Sequence, residues 1–224
     1  MSILHFENEH KVALNDGLKI RKGQMTRAAI LNSTLDLLWK QPFRDLTVKS
    51  VMAPTGVSRS AFYLYFRDLE EVIETLLDIS KSEISSAVSP WYERVGDPVA
   101  ILQDGLSGLV DVSSQRGPIL RAVVDAATTN QHLEDVWDQL MDGFDDAASA
   151  RIEADQEQGL IANFDARNMA ITLNRLNASV LIEAFGHHPT RNPESVRDSL
   201  FRIWTSTLYG SEWVEKKSSP LVRK

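Results

Sequence analysis

The residues with the clearest capacity for recognition chemistry fall in one segment, Thr47 to Phe66, which reads TVKSVMAPTGVSRSAFYLYF. Val48, Val51 and Met52 have the spacing of a short helix with one apolar face, and Thr47 is a good N-cap for it. Ser50 stands at the third position, where a full capping box has Glu. Gly56 supplies the positive φ of a tight turn, and Val57 is expected to anchor that turn in the core. Ser58 is expected to cap a second helix running through Tyr65, with its first-turn amides free to face a phosphate. Arg59 and Ser60 lie at the leading end of this helix, Phe62 and Phe66 share its buried face, and Tyr63 and Tyr65 are left outward. A support helix, a glycine turn and a second helix led by Arg and Ser suit the reading of base edges in a major groove. Phenolic hydroxyls on the same helix suit phosphate oxygens.

Other chemistry has few candidates. His187 and His188 are adjacent, and consecutive side chains diverge rather than chelate. Asp145 and Asp146 with Glu153 form an acidic run, read here as a solvated face. Glu7 and His10 form a single Glu-x-x-His with no second copy to complete a metal site, and the chain has no Ser-His-Asp candidate and no phosphate-cradling glycine loop. Its lack of cysteine excludes disulfides, thiolate zinc sites and cysteine nucleophiles. No enzyme activity, metal site or cofactor is therefore expected. No apolar run approaches the roughly 18–20 residues of a membrane span. Glu7, Glu9 and His10 also depart from a signal peptide, so a cytoplasmic protein without a membrane partner is expected.

Charge is divided along the chain. The whole carries −7, yet Lys19 to Arg67 holds nine Lys or Arg against Asp36 and Asp45, a local +7, which leaves −14 elsewhere. A basic end on an acidic remainder is the footprint of a chain with one end on phosphate. Lys19, Arg21, Lys22 and Arg27, ahead of the segment, could serve an adjacent groove or only solubility.

The elements that must position these residues are helical. Ala29, Ile30, Ser33, Leu37 and Leu38 recur at three and four, predicting a helix that ends near Trp39. Asp68 caps a longer helix with Glu70 and Glu71 in its first turn. Amphipathic stretches follow near 68–88, 98–114, 118–128, 132–158, 166–185 and 193–209, separated by Pro90, Gly96-Asp97-Pro98, Gly117-Pro118, Gly159 and His188-Pro189. The fold class is all-α, with a three-helix head and a larger helical body. The division predicted is an arm over 1–22, a head over 23–77, a body over 78–210 and a loose tail over 211–224.

The body holds Trp91, Trp137, Trp204 and Trp213, and aromatics at helical spacing usually build core. Asn174 and Asn177, three apart in an apolar stretch, share a helix face. They either anchor a ligand carbonyl in an apolar tunnel, satisfy each other, or serve a dimer contact.

With Gly56, Val57, Ser58, Tyr63, Tyr65 and Phe66 in place, residues 26–77 resemble the DNA-binding head of the TetR family. That resemblance implies backbone contacts near Thr47 and Lys49 and groove contacts from Arg59, Ser60 and Tyr63. The family's common Lys three residues past the final Phe is Leu69 here, and Arg67 is the candidate substitute. From Gln131 to Gly210 the chain also resembles the ethionamide-resistance branch of the family. The likeness is carried by Val136-Trp137, Ile152-Glu153-Ala154, Gly159, Asn174/Asn177, Leu181, Ala184-Phe185, Ile203-Trp204 and Leu208-Tyr209-Gly210. It implies a tunnel lined by Trp137, Met141, Asn174, Asn177 and Trp204. Leu102, Leu106 and Leu109 are also expected to line it, standing where the branch has Trp and Phe, and Ala148 replaces a small hydroxyl residue, so the ligand does not carry across. The family dimerises through its last two long helices, here about 166–185 and 193–209, and Ile171, Val180, Ile182, Val196, Leu200, Ile203 and Leu208 offer the apolar surface. The expectation is a homodimeric repressor of a double-stranded operator, released by a small, mostly apolar ligand. The alternative is a DNA-binding regulator or architectural protein without such a ligand, tuned by a protein partner.

Overall fold

The computed structural model describes residues 22–93 and 96–210. The expected tail, and the expected arm apart from Lys22, lie outside them, as do Lys19, Arg21 and Trp213. All regular structure among the described residues is helical, and the chain divides into two compact units, Met1–Ile73 and Glu74–Lys224.

In the first unit, α1 covers 22–38, followed by α2 (Val48–Met52), α3 (Arg59–Phe62) and the first turn of α4 (Leu69–Tyr92). Ile30, Val51, Phe62, Phe66 and Val72 are buried together in its core. The Ser33 hydroxyl donates to the Val51 carbonyl at 2.6 Å, tying α1 to α2. Thr47 caps α2 and Ser50 closes the box: each side chain accepts from the other's backbone N–H, at 3.1 and 3.0 Å. Serine thus does what Glu does in the longer version. Asp68 accepts from the Glu71 N–H at 2.8 Å, as its cap position predicts.

Four local expectations need correction. Ser58 has the extended backbone of a cap residue but makes no capping bond, because its hydroxyl pairs with that of Ser60 at 2.9 Å. α3 ends at Phe62 rather than Tyr65, and residues 63–65 continue as a turn. Val57 is exposed, not an anchor: Gly56 at φ 68° turns the chain while leaving its neighbour outside. Pro90 does not end its helix, which runs on to Tyr92.

In the second unit α4 is joined by α5 (Pro98–Ala127), α6 (Gln131–Glu157), α7 (Ala166–Phe185) and α8 (Pro193–Leu208). The starts are set by side-chain caps: Asp97, Asn130, Asp165 and Asn192 each accept from a first-turn N–H. α5 packs on α6, α7 and α8. It is one helix of 30 residues, where Gly117-Pro118 predicted a break between 114 and 118. Gly117 is there for close approach: a Cβ would stand 2.2 Å from the Phe185 carbonyl oxygen on α7. The core includes a cluster around Trp91, Leu106, Ile152 and Trp204 and another around Val110, Leu181, Phe185 and Leu200. Val196, Leu200 and Leu208 are buried within this core, so of the surface expected to pair two copies, Ile171, Val180, Ile182 and Ile203 keep part of their area exposed.

Candidate functional site

The first unit presents Thr47, Lys49, Ser58, Arg59, Ser60, Tyr63 and Arg67 on its surface, with Tyr65 half-buried. Their placement follows from the aromatic pair beneath. Phe62 and Phe66 lie with ring centroids 5.9 Å apart in the core, which turns Ser60 away from it, while Arg59 and Tyr63 are exposed beside the buried face. Tyr63 meets the Phe62 ring edge-on at 5.3 Å and is 54% exposed, so its base is packed while its hydroxyl remains available. Two basic side chains have local partners. The Arg27 guanidinium lies 5.0 Å over the Phe66 ring. Arg67 meets Glu71, whose carboxylate accepts from the Arg67 backbone N–H at 2.7 Å and from Nε at 3.2 Å. The backbone bond first, and the side chain second, hold the Glu71 carboxyl below its usual range. Arg67 is thus positioned by Glu71 as well as exposed.

The second unit contains a cavity with about 730 Å³ of atom-free space, the solvent at its mouth included. Leu102, Leu106, Leu109, Trp137, Met141, Asn174, Asn177 and Trp204 all line it. The wall also includes Ile84, Val88, Trp91 and Tyr92 of α4, Leu120 of α5, Leu140 and Phe144 of α6, and Ala178 and Leu181 of α7. The α4 contribution was missed by sequence reasoning. Its signal was present, since Ile84, Val88 and Trp91 recur at four and three, but the same pattern describes any core face.

The polar groups of the cavity are fixed by partners behind them. Asn174 donates its side-chain amide to Asp145 Oδ1 at 2.8 Å, and the Trp204 indole N–H donates to Asn177 Oδ1 at 2.9 Å. The two asparagines therefore do not satisfy each other. A carboxylate only accepts and an indole N–H only donates, so each partner dictates which way its amide faces. What remains without a partner is an acceptor, Asn174 Oδ1, and a donor, Asn177 Nδ2, three residues apart on α7. Asp145, expected on a solvated face, is fully buried, with Arg175 3.2 Å from Oδ2. The reason is Asn174 across from it: the carboxylate is needed inside. Burial, and secondarily the Asp145 charge, pushes the Tyr92 phenol well above its ordinary range, so it remains an O–H donor on the wall.

A second buried network closes beside the cavity. Arg151 binds Asp155 at 2.9 Å and the Trp91 carbonyl oxygen at 2.6 Å, with its guanidinium 5.4 Å over the Trp91 ring. The Tyr209 hydroxyl donates to Asp155 at 2.9 Å and accepts from the Trp91 indole at 3.1 Å. Trp91, so held, meets Trp204 edge-on at 5.7 Å. His187 and His188 are both exposed. Asp146 pairs with Arg167, and Glu153 accepts from Ser149. Asp145, Asp146 and Glu153 thus have separate partners and form no joint site.

The family model for bacterial regulatory proteins of the tetR family matches residues 30–76. That for the C-terminal domain of the transcriptional regulator EthR matches residues 102–210. The regulator EthR of Mycobacterium tuberculosis is 27% identical over 192 residues, covering 84% of this chain and 89% of EthR. Among solved structures, a TetR-family regulator from Syntrophomonas wolfei has a TM-score of 0.68 at 18% identity, covering 82% of this chain and 95% of its own. The structure of AibR in complex with isovaleryl coenzyme A and operator DNA has a TM-score of 0.62 at 12% identity, covering 83% and 98%. With a helix-turn-helix head and an EthR-like body, the chain belongs to the TetR family of DNA-binding transcriptional regulators.

Proposed function

We propose that this chain is a homodimeric repressor whose grip on its operator is released by a mostly apolar small molecule carrying an amide-like group. The observation that carries the reading is the cavity, apolar over most of its wall, with one donor and one acceptor held in fixed directions on α7. Such a site favours a ligand with an apolar body and a carbonyl next to an N–H or O–H. It supports this reading over a regulator without a small ligand, for which an amide pair beside empty apolar space has no use. AibR, of the same fold, is known with an acyl thioester and with operator DNA, which fits the same division of labour.

Arg59, Ser60 and Tyr63 are assigned to the groove, and Thr47, Lys49, Ser58, Tyr65 and Arg67 to the DNA backbone. A second copy is assigned to the face of α7 and α8 where Ile171, Val180, Ile182 and Ile203 remain half-exposed. α4 supplies the connection, because the helix that begins at Leu69 behind α3 contributes Ile84, Val88, Trp91 and Tyr92 to the cavity wall. A ligand acts by binding one spacing of the two heads better than the other, and a few kcal/mol of preference is enough.

The test uses full-length protein and a duplex selected by it from a randomised pool. Binding should weaken steeply with salt. A medium-chain primary amide should release the DNA, and the methyl ester of the same chain should do so less well. Asn177→Ala should need roughly fivefold more amide, the worth of about one hydrogen bond. Unchanged amide-driven release from both Asn177→Ala and Trp204→Ala would remove the cavity as the ligand site.

A further inference from the structure

Among the described residues, Leu64 is the most exposed large apolar side chain, at 79%. It lies in the turn that continues α3, and that turn is not loose. The Leu64 N–H donates to the Ala61 carbonyl at 3.2 Å, and the N–H groups of Tyr65 and Phe66 donate to Phe62 at 2.9 and 3.1 Å. Leu64 falls midway between Phe62 and Phe66, both buried, so the helical turn carries it to the open side. Ser60, one turn earlier, is exposed on the same side, and Arg59 and Tyr63 are exposed nearby in the segment. The leucine adds nothing to the packing of its own unit. What distinguishes it is less its exposure than its place on the face that the proposed function gives to the major groove.

We infer that Leu64 reads the C5-methyl group of a thymine in each half-site. The inference rests on the assignment of α3 to the groove. Base edges in the major groove offer hydrogen-bond donors and acceptors, and their one apolar group is the thymine methyl. Arg59, Ser60 and Tyr63 match the polar edges, and Leu64 matches the methyl. The surroundings favour DNA over a protein as occupant. A protein contact calls for a continuous apolar patch, whereas Leu64 is a single leucine in an exposed segment that otherwise offers Ser60, one turn before it, and the polar residues Arg59 and Tyr63. The local +7 between Lys19 and Arg67 brings phosphate to the same region.

A duplex selected from a randomised pool by the full-length protein is the probe, with each thymine replaced in turn by deoxyuridine, which lacks only the methyl. The wild type should lose about fourfold in affinity at one thymine per half-site, the worth of one buried methyl group. Leu64→Ala should bind the thymine duplex that much more weakly and be indifferent to uracil at that position. Leu64→Ala is expected to fold normally, since the side chain is outside the core. If no thymine is sensitive in the wild type, or if Leu64→Ala keeps the sensitivity, the inference is overturned while the groove assignment stands. If Leu64→Ala instead changes the oligomeric state with DNA affinity intact, Leu64 belongs to a protein contact. If the wild type selects no site and shows no salt-sensitive DNA binding, the groove assignment fails and takes the inference with it.

Discussion

The two units use aromatic side chains in opposite ways. In the first, Phe62 and Phe66 come from one short helix and its turn, and both rings are buried side by side in the core. Its surplus apolar groups, Leu64 and the ring of Tyr63, face outward. In the second, Trp91, Trp137 and Trp204 come from three long helices and stand around a cavity. There the surplus apolar surface faces inward, and polar groups, Asp145, Arg151 and Asp155, take up positions in the interior. Rings contributed by neighbouring residues fill their own core. Rings held apart on separate long helices leave room, and hydrogen-bonded polar pairs keep the walls in place.

The largest test of this contrast is truncation behind each wall. Phe62→Ala should destabilise the head by about 3–5 kcal/mol, and Arg151→Ala the body by a similar amount because Asp155 is left buried without its cation. Each loss should appear in hydrogen exchange of its own unit; a uniform loss across both would break the comparison. Next comes Trp204→Phe, which keeps a ring on the wall but removes the donor to Asn177 Oδ1. A cost of about 1–3 kcal/mol in thermal unfolding is expected, together with loss of the preference for amide over ester. A result that alters stability but leaves the preference intact would mean that the indole does not orient the amide.

Smaller effects come from titration. The Tyr209 phenol is pushed up to about 12, first by burial. Its folded value lies above the 10.0 of a free phenol, so it stabilises the body fully below pH 10 and the contribution fades between pH 10 and 12. Tyr209→Phe should flatten denaturation curves across that window, though Tyr92 leaves a residual slope. The smallest effect is at Glu71, whose pKa is lowered from 4.5. Its contribution is present above 4.5 and lost as pH falls through the depressed value. Glu71→Gln should weaken the head slightly at neutral pH and not at all in strong acid, as acid titrations followed by circular dichroism will show.

Much of the fold was legible because its signals are local. Thr47 and Asp68 announce helix starts through their own side chains, and Gly56 announces its turn through its own backbone. Trp137, Met141, Asn174, Asn177 and Trp204 were singled out through the resemblance rather than through spacing, and the structure puts them around one cavity whose occupant is the proposal above. The failures share a cause, which is a partner far away in sequence. Gly117 looked like a break because Phe185, which needs the glycine, lies on α7. Asp145 looked solvated because an acidic run carries no sign of Asn174 opposite. Ser58 failed differently: a hydroxyl two residues on competed for its side chain.

The fixed amides of Asn174 and Asn177 give the cavity a direction. One end of the pair asks for a donor and the other for an acceptor, in an order set by Asp145 and Trp204. A secondary amide and its retro-amide, with the same chain and the carbonyl and N–H exchanged, differ in nothing but that order. If the proposed ligand binds there, the site will tell a molecule from its own reversed sequence of atoms, a distinction that shape and oiliness alone would never make.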